Sequence, residues 1–198
     1  MRKKNKLTEF EHVFHWRDLV NTGDFSIGGA RVRVNRWAKD EKITPIGSRT
    51  GLYINHSVKA DKPLYNLIIT RHYPEAIISR EAALHKHGWL KEEPKQIDII
   101  HVGRLIPADL PNIESHIRPK VTMKILSAEK EEDGLTYLTA ESAMIELLAT
   151  EPQKINTLAL TYPETIDLDD LRNKAAKLCE AFENATTSAY NQPSRYKP

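Results

Sequence analysis

The chain has 198 residues, of which 40% are hydrophobic and 28% charged, and its formal net charge is +2. A chain of this size can bury a core of its own, in one large domain or two small ones. Its single cysteine, Cys179, excludes an internal disulfide framework, and no apolar run approaches the length of a membrane span.

The first ten residues, MRKKNKLTEF, are basic but lack the apolar stretch of a secretory signal. Together with the single cysteine, this predicts a cytoplasmic protein with no membrane partner. Charge is unevenly distributed, because residues 1–54 carry eleven Lys or Arg against six Asp or Glu, and the remainder carries eighteen against twenty-one. Four of the eleven lie between Arg2 and Lys6, so position matters more than the total. The asymmetry favours an N-terminal module that faces an anion.

Two helices are predicted in the N-terminal module. The first is short, beginning near His15 and ending before Gly23, a helix-stop residue. Asp24 or Ser26 can cap the second, which runs from about Ile27 to Lys39. Its apolar residues recur at offsets of three, four and seven, which predicts one buried face made of Ile27, Ala30, Val34, Trp37 and Ala38.

The opposite face of the second helix is predicted to carry Gly29, Val32, Arg33 and Arg36, with Lys39 beside them and Arg31 and Asn35 nearer the flanks. The pair Gly28-Gly29 lowers helix propensity by about 1 kcal/mol per glycine relative to alanine. Such a pair is tolerable where the backbone approaches a ligand closely, and helix starts present N–H groups to phosphate oxygens. A loose, frayed helix start is the alternative.

After residue 42 the pattern changes to two short strands, Ile43–Ile46 and Leu52–Ile54, joined by the turn Gly47–Gly51. A short helix, a turn, a basic helix and a hairpin form the layout of a winged helix-turn-helix, whose second helix enters the major groove of DNA. Arg33 and Arg36 are the candidates for base edges, because a guanidinium pairs bidentately with guanine. Phosphate contacts, which position a protein without reading sequence, are expected from Lys39, Lys42, Ser48 and Arg49.

The full predicted DNA-binding set combines the helix start, its outer face and the hairpin: Ser26, Gly28, Gly29, Val32, Arg33, Arg36, Lys39, Lys42, Ser48 and Arg49. Ordinary packing is the competing interpretation. On that view the arginines only solvate an exposed helix, while Trp37 belongs to the core under either interpretation.

The segment VFHWRDLVNTGDFSIGGARVRVNRWAKDEKITPIGSRTGLYIN resembles the N-terminal winged-helix domain of the AbiEi-type antitoxins. Their wing pattern, I-x-x-I/L-G-x-R-x-G-L-Y, is matched by Ile43, Ile46, Gly47, Arg49, Gly51, Leu52 and Tyr53. The similarity extends to about residue 150. It includes a strand that leads through Ser79 into a helix ending at Gly88, and a later helix, AESAMIELLA, that follows the cap Thr139.

The resemblance implies a transcriptional repressor that binds double-stranded DNA at its own operator. It also implies a C-terminal domain that carries antitoxin activity or self-association, and a cognate nucleotidyltransferase-type toxin as partner, as in type IV toxin–antitoxin systems. Two alternatives stay open. One is a stand-alone regulator or a module of phage defence, and the other is an adaptor whose winged helix binds protein without binding DNA.

The predicted fold class is α+β, with a winged helix-turn-helix at residues 7–56 and a mixed α/β C-terminal domain at residues 64–185. Strands are predicted near residues 96–102, 121–126 and 135–138, and a helix begins at Asp167. The polar, proline-containing stretch 186–198 is predicted to be a flexible tail.

No residue pattern favours catalysis. His85 and His87 are two positions apart, whereas a helical metal pair requires a spacing of four. Cys179 lies on the apolar side of its predicted helix, which is typical of an inert core thiol. The glycines of SIGGARV and IHVGR form neither a phosphate loop nor a dinucleotide fingerprint. We therefore expect no catalytic residues, no metal and no cofactor.

Overall fold

The computed structural model describes residues 7–102 and 109–190, with the backbone alone for residues 186–190. Within these residues the protein is a mixed α+β structure with seven α-helices and two β-sheets, which confirms the predicted class. The basic stretch from Arg2 to Lys6 and residues 191–198 of the predicted tail lie outside the described part. Contacts divide the described chain into two compact units: unit 1 contains 7–75 and 109–113, and unit 2 contains 76–102 and 114–190.

Unit 1 contains three α-helices and a three-stranded antiparallel sheet. In chain order its elements are β1 (Val13–His15), α1 (Arg17–Asn21), α2 (Ile27–Lys39), β2 (Ile43–Ile46), β3 (Leu52–Asn55) and α3 (Leu64–His72). The strand order in the sheet is β1-β3-β2. The predicted bounds of α2 are confirmed, as is the antiparallel pairing of β2 with β3. The sequence patterns did not predict that β1 would join this sheet or that α3 would form.

The core of unit 1 is built largely from aromatic side chains. Phe10 and Phe14 lie with their ring centroids 5.5 Å apart, and Phe10 meets the buried Trp37 at 6.2 Å. The fully buried Asn55 donates hydrogen bonds from Nδ2 to the carbonyl oxygens of Leu7 and Phe10. Because a buried amide is costly unless it is hydrogen-bonded, these contacts fix the N-terminal segment against β3.

Unit 2 contains a five-stranded sheet and four α-helices. Its elements are β4 (Ile77–Ile78), α4 (Arg80–Lys86), β5 (Ile97–Val102), β6 (Ile113–Arg118), β7 (Ala128–Lys130), β8 (Thr136–Leu138), α5 (Ala140–Thr150), α6 (Pro152–Ile155) and α7 (Leu168–Tyr190). The strand order is β6-β5-β4-β8-β7, in which β4 is antiparallel to β5 and parallel to β8. Helix α5 packs against both α4 and α7. Thr139 caps α5 as predicted, accepting from the Ser142 N–H.

One predicted strand is wrong. Residues within 121–126 do not extend a sheet, because Lys120–Lys124 forms a 3-10 helix. Pro119 precedes it, and the Thr122 N–H and Oγ1–H both donate to the Pro119 carbonyl oxygen, at 3.0 and 2.7 Å. These local bonds satisfy backbone groups that a strand would have offered to a neighbour.

Two boundaries differ from the sequence analysis. Residues 64–75 belong to unit 1, since α3 packs against β1, whereas the sequence analysis placed them with the C-terminal domain. Helix α7 extends to Tyr190, so residues 186–190 of the predicted tail are helical. Among the helices of the described residues, none has both the length and the apolar character needed to cross a bilayer.

Candidate nucleic-acid interface

Helix α2 begins with a side-chain cap on its first turn. Ser26 has extended backbone geometry and its Oγ accepts a hydrogen bond from the Gly29 N–H at 3.1 Å, so of the two predicted caps Ser26 is the one used. The Gly29 N–H is therefore already bonded within the protein. Of the two glycines predicted to face phosphate, Gly29 is part of this cap and Gly28 is not.

The two glycines of α2 have different surroundings. A Cβ added to Gly29 would lie 3.3 Å from Ser26 Oγ, tight against the cap. A Cβ added to Gly28 would meet no atom within 4 Å, and neither glycine has the positive φ that only glycine adopts readily. Contacts inside the protein therefore give a reason for glycine at Gly29 but none at Gly28.

The buried face of α2 consists of Ala30, Val34 and Trp37, as predicted, with Ala38 half-buried beside them. The prediction for Ile27 is wrong, because its side chain is 59% exposed. Phe25, just before the helix, is partly buried and packs on the core cluster, whereas Ile27 does not belong to it.

The arginines of α2 fall into two groups. Arg31 and Arg36 are exposed, as are Lys39 and Asn35. Arg33 is half-buried rather than fully outward, because its guanidinium lies over the Phe25 and Trp37 rings, 5.6 Å from each centroid. Arg33 is therefore only partly exposed on the face that periodicity predicted, with its guanidinium against the neighbouring aromatic rings.

Trp16 brings two further arginines together at the edge of α2. The Arg31 guanidinium lies 5.0 Å from the Trp16 ring centroid, and that of Arg17 lies 5.5 Å from it. Cation–π contacts hold long side chains in place without neutralising their charge. Neither arginine was in the predicted set. In the sequence, the adjacent Trp16 and Arg17 at the start of α1, together with Arg31 on the flank of α2, are the pattern that could have indicated this contact.

The hairpin turn, residues 47–51, has a tightly defined backbone. Gly47, Arg49 and Gly51 all have positive φ, and Thr50 closes the turn by donating to the Ile46 carbonyl and accepting from the Leu52 N–H. A Cβ at Gly47 would lie 1.8 Å from the carbonyl oxygen of Asp109, so the turn contacts this residue directly. The Arg49 side chain is exposed at the tip of this turn.

The remaining predicted phosphate contacts differ in their availability. Ser48 is exposed but forms a backbone bridge with Asp109. Lys42 is exposed and its Nζ lies 3.0 Å from Asp40 Oδ2, so its charge is partly offset. In contrast, Arg31, Arg33, Arg36, Lys39 and Arg49 take part in none of the ion pairs found among the described residues. The structure thus collects unpaired cations on α2 and at the turn that follows β2, the strand against which α2 packs.

A second concentration of charge lies inside unit 2. The Arg80 guanidinium, 5% exposed, lies 3.0 Å from Asp98 Oδ1 and 2.6 Å from Glu151 Oε1. Glu146, fully buried, accepts from Arg118 Nε and Nη2 at 3.1 and 2.7 Å. Lys154 Nζ lies 3.0 Å from Glu81 and 2.8 Å from Glu151, and the hydrogen bond to Glu151 is the main reason that the pKa of Lys154 is raised. Each of these three cations therefore has at least one carboxylate partner within unit 2.

One part of this network has the composition of a metal site. Donor atoms of Asp98, Glu114 and His116 lie within 4.8 Å of one another, a grouping that sequence spacing did not reveal. Asp98 Oδ1, however, already accepts from both Arg80 and His116, and Gln96 donates to Glu114. A guanidinium against the central carboxylate opposes a cation there, so the arrangement fits an internal ion-pair network better than a metal centre.

Neither family models nor curated proteins returned a match to this chain. The resemblance to the AbiEi-type antitoxins therefore rests on the residues and motifs quoted above.

Proposed function

We propose that the protein is a DNA-binding transcriptional regulator of the AbiEi-like type, in which unit 1 is a winged helix-turn-helix. Helix α2 enters the major groove, and the β2–β3 hairpin is the wing that meets the sugar-phosphate backbone. The order α1, α2, β2, β3, with a tight turn between the strands, supports this proposal.

The observation that carries the proposal is the set of unpaired cations on unit 1. Arg31, Arg36 and Lys39 project from α2 and Arg49 from the hairpin turn, and none of these four has an acidic partner among the described residues. Cations left unpaired on one surface are what phosphate recognition requires. Elsewhere in the same unit Arg71 pairs with both Asp18 and Glu11.

Roles within the surface follow from burial and position. Arg36 is exposed and contacts no aromatic ring in the described part of the chain, so it is free to pair bidentately with guanine. Arg33 is held over two rings and serves better as a support. Arg49 and Lys39 are suited to phosphates. Arg31 and Arg17, held by Trp16, extend the same basic surface beyond the residues that the sequence indicated.

For unit 2 the proposal follows the resemblance alone. It carries the antitoxin activity or self-association, and the partner is a nucleotidyltransferase-type toxin. Repression of its own operon is the corresponding regulatory role. The discriminating observation is the neighbouring gene, since a nucleotidyltransferase-like toxin beside it favours an antitoxin over a stand-alone regulator.

Titration of the full chain against short fluorescent duplexes that tile its upstream DNA tests the proposal. We expect affinity to fall steeply between about 50 and 200 mM salt, because each neutralised phosphate releases counterions. Arg49→Ala should weaken binding to all duplexes alike and reduce the salt slope by about one. Arg36→Ala should cost about 1–3 kcal/mol on the preferred duplex and relax sequence preference.

Lys177→Ala is the matched control, because it removes one exposed positive charge from α7 of unit 2 and should leave DNA affinity unchanged. If the Arg36→Ala, Arg49→Ala double variant bound as tightly as the wild type, the proposed surface would be wrong. An adaptor that binds protein is the second candidate, and the exposed Ile27 and Val32 on α2 are the observation in its favour. It predicts no salt-dependent affinity for any duplex.

A further inference from the structure

Two large apolar side chains are exposed in the first two turns of α2. Ile27, at the first helical position, is 59% exposed, and Val32, at the sixth, is 51% exposed. Isolated exposed apolar residues are common and need no explanation by themselves. Both lie in the N-terminal turns, from which a recognition helix reaches base edges. Five positions separate them, about 140° around the helix, so the two side chains would meet different bases.

The electrostatic surroundings of this pair favour an anionic partner. Helix α2, IGGARVRVNRWAK, contains no acidic residue. Exposed Arg31 precedes Val32, and Arg36 and Lys39 follow it one and two turns later. A partner that covers the apolar side chains must therefore accept a dense positive rim. The major groove offers both properties at once, with phosphates along its edges and the thymine 5-methyl group on its floor.

Gly28 gives independent support for close approach on this side. It lies between Ile27 and the turn that carries Val32, it is exposed, and open space surrounds the position of its missing Cβ. Its backbone does not require glycine, and alanine would favour the helix by about 1 kcal/mol. In a helix that meets no ligand, a side chain at this position would increase stability. In a helix that meets the floor of a groove, the same side chain would obstruct the contact.

We propose that Ile27 and Val32 contact thymine 5-methyl groups in the major groove, so that the operator carries thymine opposite the first two turns of α2. This inference rests on the DNA binding proposed above and names what that surface reads. Covering one methyl group contributes roughly 0.8 kcal/mol, which corresponds to about a fourfold change in affinity.

Uracil provides the test, because it keeps every hydrogen bond of thymine and lacks only the 5-methyl group. In the duplex that the full chain binds most tightly, each thymine is replaced singly by uracil. We expect one or two of these replacements to weaken wild-type binding about fourfold. Val32→Ala should bind the unmodified duplex about fourfold more weakly, and uracil at its position should weaken it no further. Ile27→Ala should behave likewise at a different thymine. Both substitutions favour the helix, so the variants should remain folded.

The outcomes separate this inference from the proposal beneath it. Suppose that no uracil replacement changes affinity, while binding still depends on salt and on Arg36. Thymine reading is then overturned and DNA binding stands. An equal uracil effect in the wild type and in Val32→Ala overturns the assignment to Val32. If no duplex binds at any salt concentration, the proposed function is overturned, and this inference is overturned with it.

Discussion

Two groups of cations, one in each unit of this protein, have opposite surroundings. In unit 2 the cations Arg80, Arg118 and Lys154 each meet one or more carboxylates, and two of them are nearly buried. In unit 1 the exposed Arg36 and Arg49 meet none among the described residues. A buried charge must be paired, because desolvation is costly, whereas an exposed charge can be left unpaired at little cost. The difference indicates which charges maintain the fold and which remain free for a partner.

Loss of a buried carboxylate in unit 2 should have the largest effect on the stability of the protein. Glu146→Gln removes the carboxylate that accepts two hydrogen bonds from Arg118 and lies 3.9 Å from Arg80 Nε, so a half-buried and a buried guanidinium lose compensation. Breaking a buried pair costs about 3–5 kcal/mol, so urea unfolding should show a loss of that size. Asp169→Asn is the control, because it makes the same chemical change in the exposed pair with Arg172 and should cost about 1 kcal/mol or less.

The same measurement sharpens the contrast with unit 1. Arg36→Ala should change the free energy of unfolding by no more than about 0.5 kcal/mol, as is usual for an exposed site. Equal losses of stability in Glu146→Gln and Asp169→Asn would mean that the buried network does not maintain unit 2. A loss of several kcal/mol in Arg36→Ala would mean that its charge serves the fold after all.

An intermediate effect is expected at Gly28, where stability and binding should change in opposite directions. Gly28→Ala removes a flexible residue from an exposed helical position with open space around it, and should stabilise the protein by up to about 1 kcal/mol. The same methyl group should obstruct the DNA proposed to approach there, so affinity should fall. Thermal unfolding and duplex titration of one preparation measure both.

Gly29→Ala gives the comparison for that experiment. Its added Cβ would crowd Ser26 Oγ at 3.3 Å, so the gain in helix propensity should be offset at the cap. If Gly28→Ala gained stability and kept full affinity for DNA, the close approach at this position would be refuted.

Local patterns predicted the structure well where local physics decides it. The bounds of α2 follow from the cap at Ser26 and the spacing of Val34 and Trp37, and the hairpin follows from its glycines. Predictions failed where a distant or competing group decides. Ile27 is exposed whereas Phe25, just before the helix, packs on the core cluster, and the bonds of Thr122 to Pro119 replaced a strand. Periodicity assigns a residue to a face but does not rank two apolar candidates for one place.

The candidate site was predicted in part for the same reason. The spacing of Arg36 and Lys39 put them on the exposed face, and both are exposed. The capture of Arg33 by rings, and the meeting of Arg17 and Arg31 over Trp16, depend on contacts between separate elements. The buried network of unit 2 was invisible for a stronger reason, since Arg80 and Glu151 are brought together only by the tertiary fold. No pattern in a single sequence predicts an ion pair between residues so far apart in the chain.

Two histidines of unit 1 should make the free energy of unfolding depend weakly on pH. Burial lowers the pKa of His15, and Arg17, His72 and Arg71 lower it further, while Asp18 acts in the opposite direction. Burial also lowers the pKa of His72, whose Nε2 is buried without a hydrogen-bond partner in the described residues. Below the ordinary histidine pKa of about 6.5, the unfolded chain binds protons that the folded unit resists.

Stability from these histidines is thus fully present above pH of about 6.5 and is lost as the pH falls below it. We expect a lower free energy of unfolding at pH 5.5 than at pH 7.5 in buffers of equal ionic strength. His72→Phe keeps an aromatic ring beside Tyr73 and removes the titrating group, so it should reduce this difference. If the difference in the free energy of unfolding between the two pH values were unchanged in His72→Phe, protonation of His72 would not oppose folding.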